Sequence, residues 1–277
     1  MKNLRIIPRL DIKGPNLVKG INLEGLRIMG DPQLFAEKYY LEGADEIIYI
    51  DSVASLYGRN NLKEVVNNAA KKISIPLTVG GGLRTIEDIR LILNSGADKV
   101  AINTEAVSNP DFIKKCVNYF GSSTIVLSIN YKSWPNDNFK KEKNLTVGSS
   151  EEKDTKKWNS YFQVYTENGR QQTGLDAFEW AQMGEKLGVG EILLTSIDNE
   201  GMQKGFEADL TERLSKKLSI PFIVCGGLGK KEDAKIIYEK TKCNAISFAS
   251  ALHYNKFSIS EIKKYLESQQ VKIINHE

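Results

Sequence analysis

Cysteine is scarce in this chain, and its spacing excludes several kinds of site. Cys116, Cys225 and Cys243 lie far apart, form no Cys-X-X-Cys pair and have no partner histidine nearby. We therefore expect three small buried hydrophobic side chains in a protein of the reducing cytoplasm. The sequence also contains no cluster of metal-ligating residues, and we expect no cofactor.

Long apolar runs and an excess of one charge are missing as well. No run approaches the length of a membrane-spanning helix, and residues 1–9 carry charge too early to hold the core of a signal peptide. The net charge of +3 is small and mixed along the chain, which gives no case for binding nucleic acid or a membrane. With 41% hydrophobic residues, 277 residues suffice for one α/β barrel or two ordinary domains.

What the chain does contain is a regular alternation of short β-branched runs and helical stretches. Alternation of this kind predicts a parallel sheet. Eight such units in this length predict a single TIM (β/α)8 barrel over residues 1–277, with a doubly wound open sheet as the alternative. The eight predicted strands are 4–11, 45–51, 76–80, 98–103, 124–130, 190–196, 220–225 and 244–249.

Two glycine pairs with matching surroundings indicate that the barrel is duplicated. Residues 76–83 (PLTVGGGL) are similar to residues 221–228 (PFIVCGGL), 145 positions later. Each stretch leads into a predicted helical segment that contains Glu-Asp. Glycines at strand ends allow a backbone to approach a phosphate closely. A phosphate site after strands 7 and 8 recurs in TIM barrels, so we expect a second one across the mouth, with tight turns alone as the alternative.

The residues expected to hold the two phosphates follow the predicted strands of each half. Lys19, in a predicted loop, is a weaker candidate to close on the ligand. The predicted phosphate-binding residues are Gly81, Gly82, Asn103 and Thr104 in the first half and Gly226, Gly227 and Ser250 in the second.

An insertion follows the fifth strand. The offset between the two halves grows from 119 to 145 between strands 5 and 6, so 26 extra residues fall there. Residues 133–161 are polar and rich in lysine, and residues 161–170 predict a hairpin that turns at Asn168-Gly169. Since loops after strands lie at the catalytic face of such barrels, we expect this insertion, 133–170, to cover or select a substrate. A solvated loop without chemistry is the alternative.

Alternation of side chains along the strands predicts two polar layers inside the barrel. We expect the lower layer to form a neutral ring of ion pairs, with ordinary solvated strand ends as the alternative. The lower layer consists of Arg5, Glu46, Lys99 and Glu191, and the upper layer of Asp11, Asn103, Asn130 and Thr195.

Together these motifs resemble the cyclase subunit of imidazole glycerol phosphate synthase, over nearly the whole chain. The resemblance implies a duplicated barrel, a substrate with a phosphate at each end, and a glutaminase on the barrel bottom that sends ammonia through the interior. The matching stretches are 10–13 (LDIK), 18–20 (VKG), 78–82 (TVGGG), 96–100 (GADKV), 102–104 (INT) and 190–198 (GEILLTSID).

The resemblance also assigns roles to individual residues. It implies that Asp98 contacts the glutaminase and that the lower layer is the ammonia gate. The gate residues are Arg5, Glu46, Lys99 and Glu191. The implied catalytic positions are Asp11, Asn130, Thr195 and Glu200.

The catalytic positions depart from the family pattern. The family uses an aspartate ending strand 1 and another ending strand 5 as its acid–base pair, and here these are Asp11 and Asn130. An amide cannot exchange a proton at neutral pH. Glu200 replaces an aspartate, and Arg9 stands where the family has a small neutral residue. We expect Arg9 to pair with Asp11, lower its pKa and narrow the ammonia path.

Three functions remain open. The preferred one is a synthase subunit that uses ammonia on an altered acceptor. A branch of the family in bacterial surface-polysaccharide pathways is thought to convert an acetamido sugar to an acetamidino sugar, together with a glutaminase-like subunit and a further amidotransferase. The second is the histidine-pathway cyclase. The third is a non-catalytic scaffold that activates the glutaminase and conducts ammonia.

Overall fold

Eight parallel strands close into a barrel in a computed structural model that describes residues 3–54, 62–135 and 160–275. The described strands are β1 (Arg5–Lys13), β2 (Asn16–Ile21), β3 (Glu24–Gly30), β4 (Ile47–Asp51), β5 (Leu77–Gly80), β6 (Lys99–Ile102), β7 (Ile125–Pro135), β8 (Ser160–Thr166), β9 (Gln171–Asp176), β10 (Glu191–Ser196), β11 (Phe222–Cys225) and β12 (Ala245–Phe248). The barrel order is β1-β4-β5-β6-β7-β10-β11-β12, and β12 pairs with β1 to close it. All eight predicted strands are present, and the TIM barrel is confirmed.

Helices cover the outside of the barrel between successive strands. They are α1 (Pro32–Leu41), α2 (Leu62–Ala70), α3 (Ile86–Asn94), α4 (Thr104–Ser108), α5 (Pro110–Phe120), α6 (Ala177–Leu187), α7 (Asp209–Ser215), α8 (Lys231–Thr241), α9 (Ser250–His253) and α10 (Ile259–Ser268). No helix in the described residues is long and apolar enough to cross a membrane.

Two antiparallel hairpins extend the barrel at its mouth. Strands β1 and β7 each continue beyond the barrel, where β1 pairs with hairpin β2–β3 and β7 with hairpin β8–β9. The predicted hairpin at 161–170 is present, with its turn at residues 167–169. The first hairpin was not predicted. Residues 136–159 of the predicted insertion lie outside the described residues.

The duplication extends to hydrogen bonds around the glycine pairs. The carboxylate of Asp88 accepts hydrogen bonds from the N–H groups of Arg84 and Thr85 at the start of α3, at 3.0 and 2.9 Å. Asp233, 145 residues later, accepts the equivalent bonds from Gly229 and Lys230 at 2.9 and 3.0 Å before α8. Both carboxylates also favour the helix start electrostatically. Each half therefore aims a helix N-terminus at the mouth in the same way.

The glycines themselves are required by the backbone. Gly81 and Gly226 have φ angles of +103° and +95°, which L side chains rarely adopt. A Cβ at Gly81 would lie 2.5 Å from the carbonyl oxygen of Asp51, and one at Gly226 would lie 2.9 Å from that of Ser196. Larger residues would push the strand ends apart at both positions.

The middle of the barrel interior is apolar. Its buried side chains alternate with others that pack between the sheet and the helices, as the period of two predicts. The inward-facing cluster consists of Ile7, Ile48, Ala101, Val126, Leu193, Ile223, Cys225 and Ala245. The three cysteines are buried and unpaired, as expected.

Candidate functional site

The lower end of the barrel interior is closed by a ring of four ion-paired side chains. Arg5 donates to Glu46 at 2.8 Å and also to Glu191, while Lys99 donates to Glu46 at 2.9 Å and to Glu191 at 3.0 Å. Thr78 adds a hydrogen bond to Glu46 at 2.6 Å. Each carboxylate thus bridges both cations, and the predicted ring of alternating charges is present.

Within this ring, the neighbouring cations favour the charged form of Glu191. Burial opposes ionisation of Glu191, but Arg5 and Lys99 outweigh that effect and lower its pKa. Asp98 lies at the same end of the barrel, with an exposed side chain that accepts a hydrogen bond from the N–H of Leu77 at 2.8 Å. The ring and Asp98 therefore share the bottom face.

A second charged cluster lies at the upper end, above the apolar layer. Arg9 donates through Nε to Oδ1 of Asp11 at 2.9 Å and through Nη1 to Oγ1 of Thr195 at 3.1 Å. Nη1 also lies 3.8 Å from the Sγ atom of Cys225. Arg9 is 1% exposed, so its guanidinium group crosses the interior between β1, β10 and β11. The predicted pairing of Arg9 with Asp11 is present.

Lys19 completes this cluster from a strand rather than from a loop. It lies on β2 and is 2% exposed, because hairpin β2–β3 folds down over the mouth. Its Nζ atom forms an ion pair with Glu200 and lies 3.5 Å from Oδ2 of Asp11. Asn22, at the hairpin tip, donates to the carbonyl oxygens of Ile197 and Asp198, which fixes the hairpin on the segment after β10.

The charges of the upper cluster support one another. Burial disfavours the carboxylate of Asp11, but Arg9 and Lys19 outweigh burial and lower its pKa. Burial likewise disfavours the charge on Lys19, while Glu200 and Asp11 raise its pKa. Two cationic and two carboxylate side chains thus pair with one another in a buried cluster.

A pocket opens beside this cluster on the side of the first glycine pair. The sequence predicted the glycines, Asn103, Thr104 and Asn130, but not the contributions of Arg84 and Asn168. The residues that line the pocket include Arg9, Gly81, Gly82, Asn103, Thr104, Asn130 and Asn168. Asn130 is 6% exposed and lies on β7 opposite Thr195 of β10.

The two glycine pairs differ in their surroundings. Gly81 and Gly82 are half-buried and face the pocket. Gly226 and Gly227 are buried beneath the segment between β10 and α7, where the N–H of Gly205 donates to the carbonyl of Gly227 at 2.8 Å. Ser250, the first residue of α9, is also buried. The first pair is therefore the more accessible one.

His253, behind the upper cluster, packs as a structural residue. Its Nδ1 atom and the hydroxyl of Tyr39 are 2.6 Å apart, and the two rings stack at 5.8 Å. Burial, and the charge of Lys19, lower the pKa of His253 to about 3, so the imidazole is neutral.

Comparison with known proteins gives this arrangement a context. A family model described as "Histidine biosynthesis protein" matches residues 5–258. A Legionella pneumophila protein named imidazole glycerol phosphate synthase subunit HisF is 51% identical over 233 residues, covering 84% of this chain and 99% of that protein. Proteins of the same name from Methanocaldococcus jannaschii and Nitrosopumilus maritimus are 45% and 41% identical, covering 96% and 99% of both chains.

Proposed function

This chain belongs to the family of imidazole glycerol phosphate synthase HisF subunits, and from this premise we propose that it is a synthase subunit with an altered acceptor. It receives ammonia through the barrel from a glutaminase (HisH-type) subunit bound at the bottom face. It then delivers the ammonia to a phosphorylated or nucleotide-linked small molecule at the mouth. The observation that carries the proposal is the ion pair between Arg9 and Asp11. In addition, the second position of the family's acid–base pair is an amide, Asn130.

Asp11 is poorly suited to paired acid–base cyclisation in this arrangement. A general base must accept a proton near neutral pH, but the neighbouring cations lower the pKa of Asp11. Its Oδ1 atom already accepts a hydrogen bond from Arg9, and Oδ2 faces Lys19. Asn130, as an amide, offers no proton exchange in its place.

The net charge of the mouth also supports an altered acceptor. The family pattern has a small neutral residue at position 9 and a carboxylate at position 130. Arg9 and Asn130 therefore make this mouth two charge units more positive than that pattern. A site with that change favours a more negatively charged ligand or reaction centre.

Arrangement of the interior supports the delivery of ammonia. The ring of Arg5, Glu46, Lys99 and Glu191 closes the bottom, and the mostly apolar layer above it offers few hydrogen bonds to a small neutral molecule. Arg9 stands at the top of this layer. Ammonia passing the ring would emerge beside Asp11 and the pocket.

We propose that this subunit acts in the amidino modification of a bacterial surface-polysaccharide sugar. This proposal rests on the family branch that the sequence resembles, and the modification requires a further amidotransferase. Gly81, Gly82 and Thr104 would hold one phosphate of the acceptor, and Gly226, Gly227 and Ser250 the second. Asp98 would contact the glutaminase.

The histidine-pathway cyclase is the second candidate, favoured by the names of the relatives. One assay distinguishes this cyclase from a synthase with an altered acceptor. The protein is supplied with the ribulosyl aminoimidazole carboxamide nucleotide and ammonia, and the formation of imidazole glycerol phosphate is measured. We expect no turnover at the level of a family cyclase. Turnover at that level would refute the altered acceptor, and it would also refute a non-catalytic scaffold.

Variants locate the cause of the expected loss. Asn130→Asp alone should restore little cyclisation, since Arg9 still holds Asp11, whereas Arg9→Ala with Asn130→Asp should restore more than the two single variants together. Asn109→Asp, on the outer surface, serves as the control.

A further variant tests the non-catalytic scaffold. In a reconstituted sugar-modifying system, Asp11→Asn should lower product formation, and unchanged product formation would favour the scaffold.

Delivery through the barrel has its own test in that reconstituted system. With amide-labelled glutamine and unlabelled ammonium present, the intact protein should incorporate mostly label. Lys99→Met removes one of the four charged side chains of the ring. External ammonium should then compete with glutamine-derived ammonia for incorporation into the product. Equal labelling in both proteins would contradict a role of the ring in guiding ammonia.

A further inference from the structure

One hydroxyl group on a barrel strand has no hydrogen-bond partner among the residues that the structure describes. Ser247 on β12 is 0% exposed, and its Oγ atom is unpaired. Buried polar atoms in folded proteins are nearly always paired. Because a serine hydroxyl both donates and accepts, this position can bind one small polar molecule.

Strand register places this hydroxyl in the barrel interior. Ser247 pairs with Ile7 on β1 and with Cys225 on β11, and both of those side chains belong to the inward-facing apolar cluster. Ala245, two residues earlier on β12, belongs to that cluster as well. Because side chains alternate along a strand, Ser247 faces the same interior, at the upper edge of the apolar layer.

The guanidinium group of Arg9 crosses the interior in front of this strand. Arg9 is carried by β1 and reaches Thr195 on β10 and Cys225 on β11, while β12 lies between β1 and β11. The Arg9 side chain therefore spans the space that Ser247 faces. Contacts of Arg9 with described residues use Nε and Nη1. A guanidinium group has five N–H donors, so Nη2 can still donate to a molecule beside Ser247.

The chemistry of these two groups suits ammonia and disfavours ammonium. Neutral ammonia has a lone pair that can accept from Arg9 and N–H groups that can donate to Oγ of Ser247. Ammonium has no lone pair, and the guanidinium group repels its charge. Burial opposes the charge on Arg9, but Asp11 outweighs burial and raises the pKa of Arg9, so the repelling charge persists. Water can make the same two hydrogen bonds, so ammonia must compete with it and the expected binding is weak.

We propose that Ser247 and Arg9 form a binding site for neutral ammonia at the top of the barrel interior, just below the mouth. The inference rests on the proposed passage of ammonia and specifies where the molecule is held after it has passed the ring of ion pairs at the bottom. Ammonia held there lies within reach of the mouth. Ammonium from the solvent meets the charge of Arg9 before it can enter the interior.

Titration of the isolated protein with ammonium chloride tests this site without a glutaminase or an acceptor. At alkaline pH a substantial part of the added ammonium is neutral ammonia, whereas at slightly acidic pH nearly all of it is ammonium. NMR follows the backbone amides of Ser247 and Cys225, and sodium chloride titrations at each pH correct for ionic strength. We expect saturable shifts of both amides at alkaline pH and none at slightly acidic pH.

Ser247→Ala removes the hydroxyl and leaves the strand otherwise unchanged. It should weaken the binding of ammonia roughly three- to tenfold, as the loss of one net hydrogen bond implies. Ser95→Ala is the control, because Ser95 is also buried but its hydroxyl already donates to the carbonyl oxygen of Leu91 at 2.7 Å, at the end of α3. This control should bind ammonia as the intact protein does.

The contribution of Arg9 is tested with Arg9→Met. Without the guanidinium group, ammonium can take its place beside Asp11, so the same two amides should shift at slightly acidic pH. Adding Asp11→Asn should abolish that response, because no carboxylate then attracts the cation. If Arg9→Met still excluded ammonium, Arg9 would not determine the preference for the neutral molecule.

Three results would overturn the ammonia site. They are no saturable shift in the intact protein, equal shifts at both pH values, and unchanged binding in Ser247→Ala. Passage of ammonia is tested separately by labelled glutamine and Lys99→Met. If Lys99→Met admits external ammonium while Ser247→Ala binds ammonia like the intact protein, the site is wrong and the delivery stands. If Ser247→Ala weakens binding while Lys99→Met leaves the labelling unchanged, the site stands without support for the guided delivery.

Discussion

The ion pair of Arg9 and Asp11 predicts a loss of stability that depends on pH. Arg9→Met keeps a long unbranched side chain and removes the charge. The Nε and Oδ1 atoms are 2.9 Å apart, and both side chains are 2% exposed. Breaking a buried pair on one side costs about 3–5 kcal/mol. Lys19 still faces Asp11 at 3.5 Å, so we expect about 3 kcal/mol, or roughly 6 °C in Tm for a chain of this size.

The sign of the pH dependence follows from the pKa of Asp11. In the native protein burial raises this pKa, but Arg9 and Lys19 bring it below its ordinary value of about 3.9. The ionised carboxylate therefore stabilises the fold above that value, and the contribution is lost as pH falls through the lower folded pKa. In Arg9→Met burial dominates and raises the pKa, so the carboxylate destabilises the fold at neutral pH, and the penalty fades as pH falls towards about 4.

Thermal unfolding at pH 7 and pH 4 measures both effects. Arg9→Met should lose most at pH 7 and little at pH 4. The double variant Arg9→Met with Asp11→Asn should recover most of the stability at pH 7, because no unpaired charge is left buried. An equal loss at both pH values would show that packing alone is affected, and a double variant no more stable than Arg9→Met would refute the ion-pair explanation.

Three further predictions concern the frame around the site. Asp88→Ala and Asp233→Ala should each lower the free energy of unfolding by about 1 kcal/mol and should add in the double variant, which denaturant titration would show. Gly81→Ala should cost about 1–3 kcal/mol and abolish binding of n-propyl phosphate at the first glycine pair, because a Cβ there meets backbone at an unfavourable φ. Burial raises the pKa of Glu207 to about 7, so stability should fall by up to about 3 kcal/mol as pH rises from 4.5 to 7. Glu207→Gln should reduce that slope in thermal unfolding, and an unchanged slope would exclude Glu207 as its source.

The alternation of side chains along the strands predicted most of the features of the barrel interior that the sequence could predict. Arg5, Ile7, Arg9 and Asp11 share one face of β1, and all four side chains lie inside the barrel. The alternation of side chains between the two faces of a strand is a local property, so it can be predicted without knowledge of the tertiary structure. The bottom ring and the contact between Arg9 and Asp11 both follow from it.

Contacts between distant segments could not be predicted in the same way. Strand β3 of the first hairpin is largely exposed and lacks the apolar alternation of a core strand, so its sequence gives little strand signal. The pairing of Lys19 with Glu200 joins residues 181 positions apart and depends on that hairpin folding over the mouth. Asn168 was recognised as a turn residue, but its direction depends on the bond between Glu167 and Thr104.

Arg9 and Asn130 are best understood as one coupled change. With both present, two cations balance two carboxylates in the buried upper cluster. Asn130→Asp alone would add a third carboxylate beside a guanidinium group already bound to Asp11, and ion pairing there would lower the pKa of the new carboxyl group as well. Such a carboxylate would be a poor proton carrier. Removing Arg9 alone would leave Lys19 to face two buried carboxylates, a costly arrangement. Both changes make the cluster more positive, so reversing the two together would leave Lys19 alone against three carboxylates. Cyclisation needs both an Asp11 released from Arg9 and a second carboxylate, so the effects of the two reversals on cyclisation should be strongly non-additive.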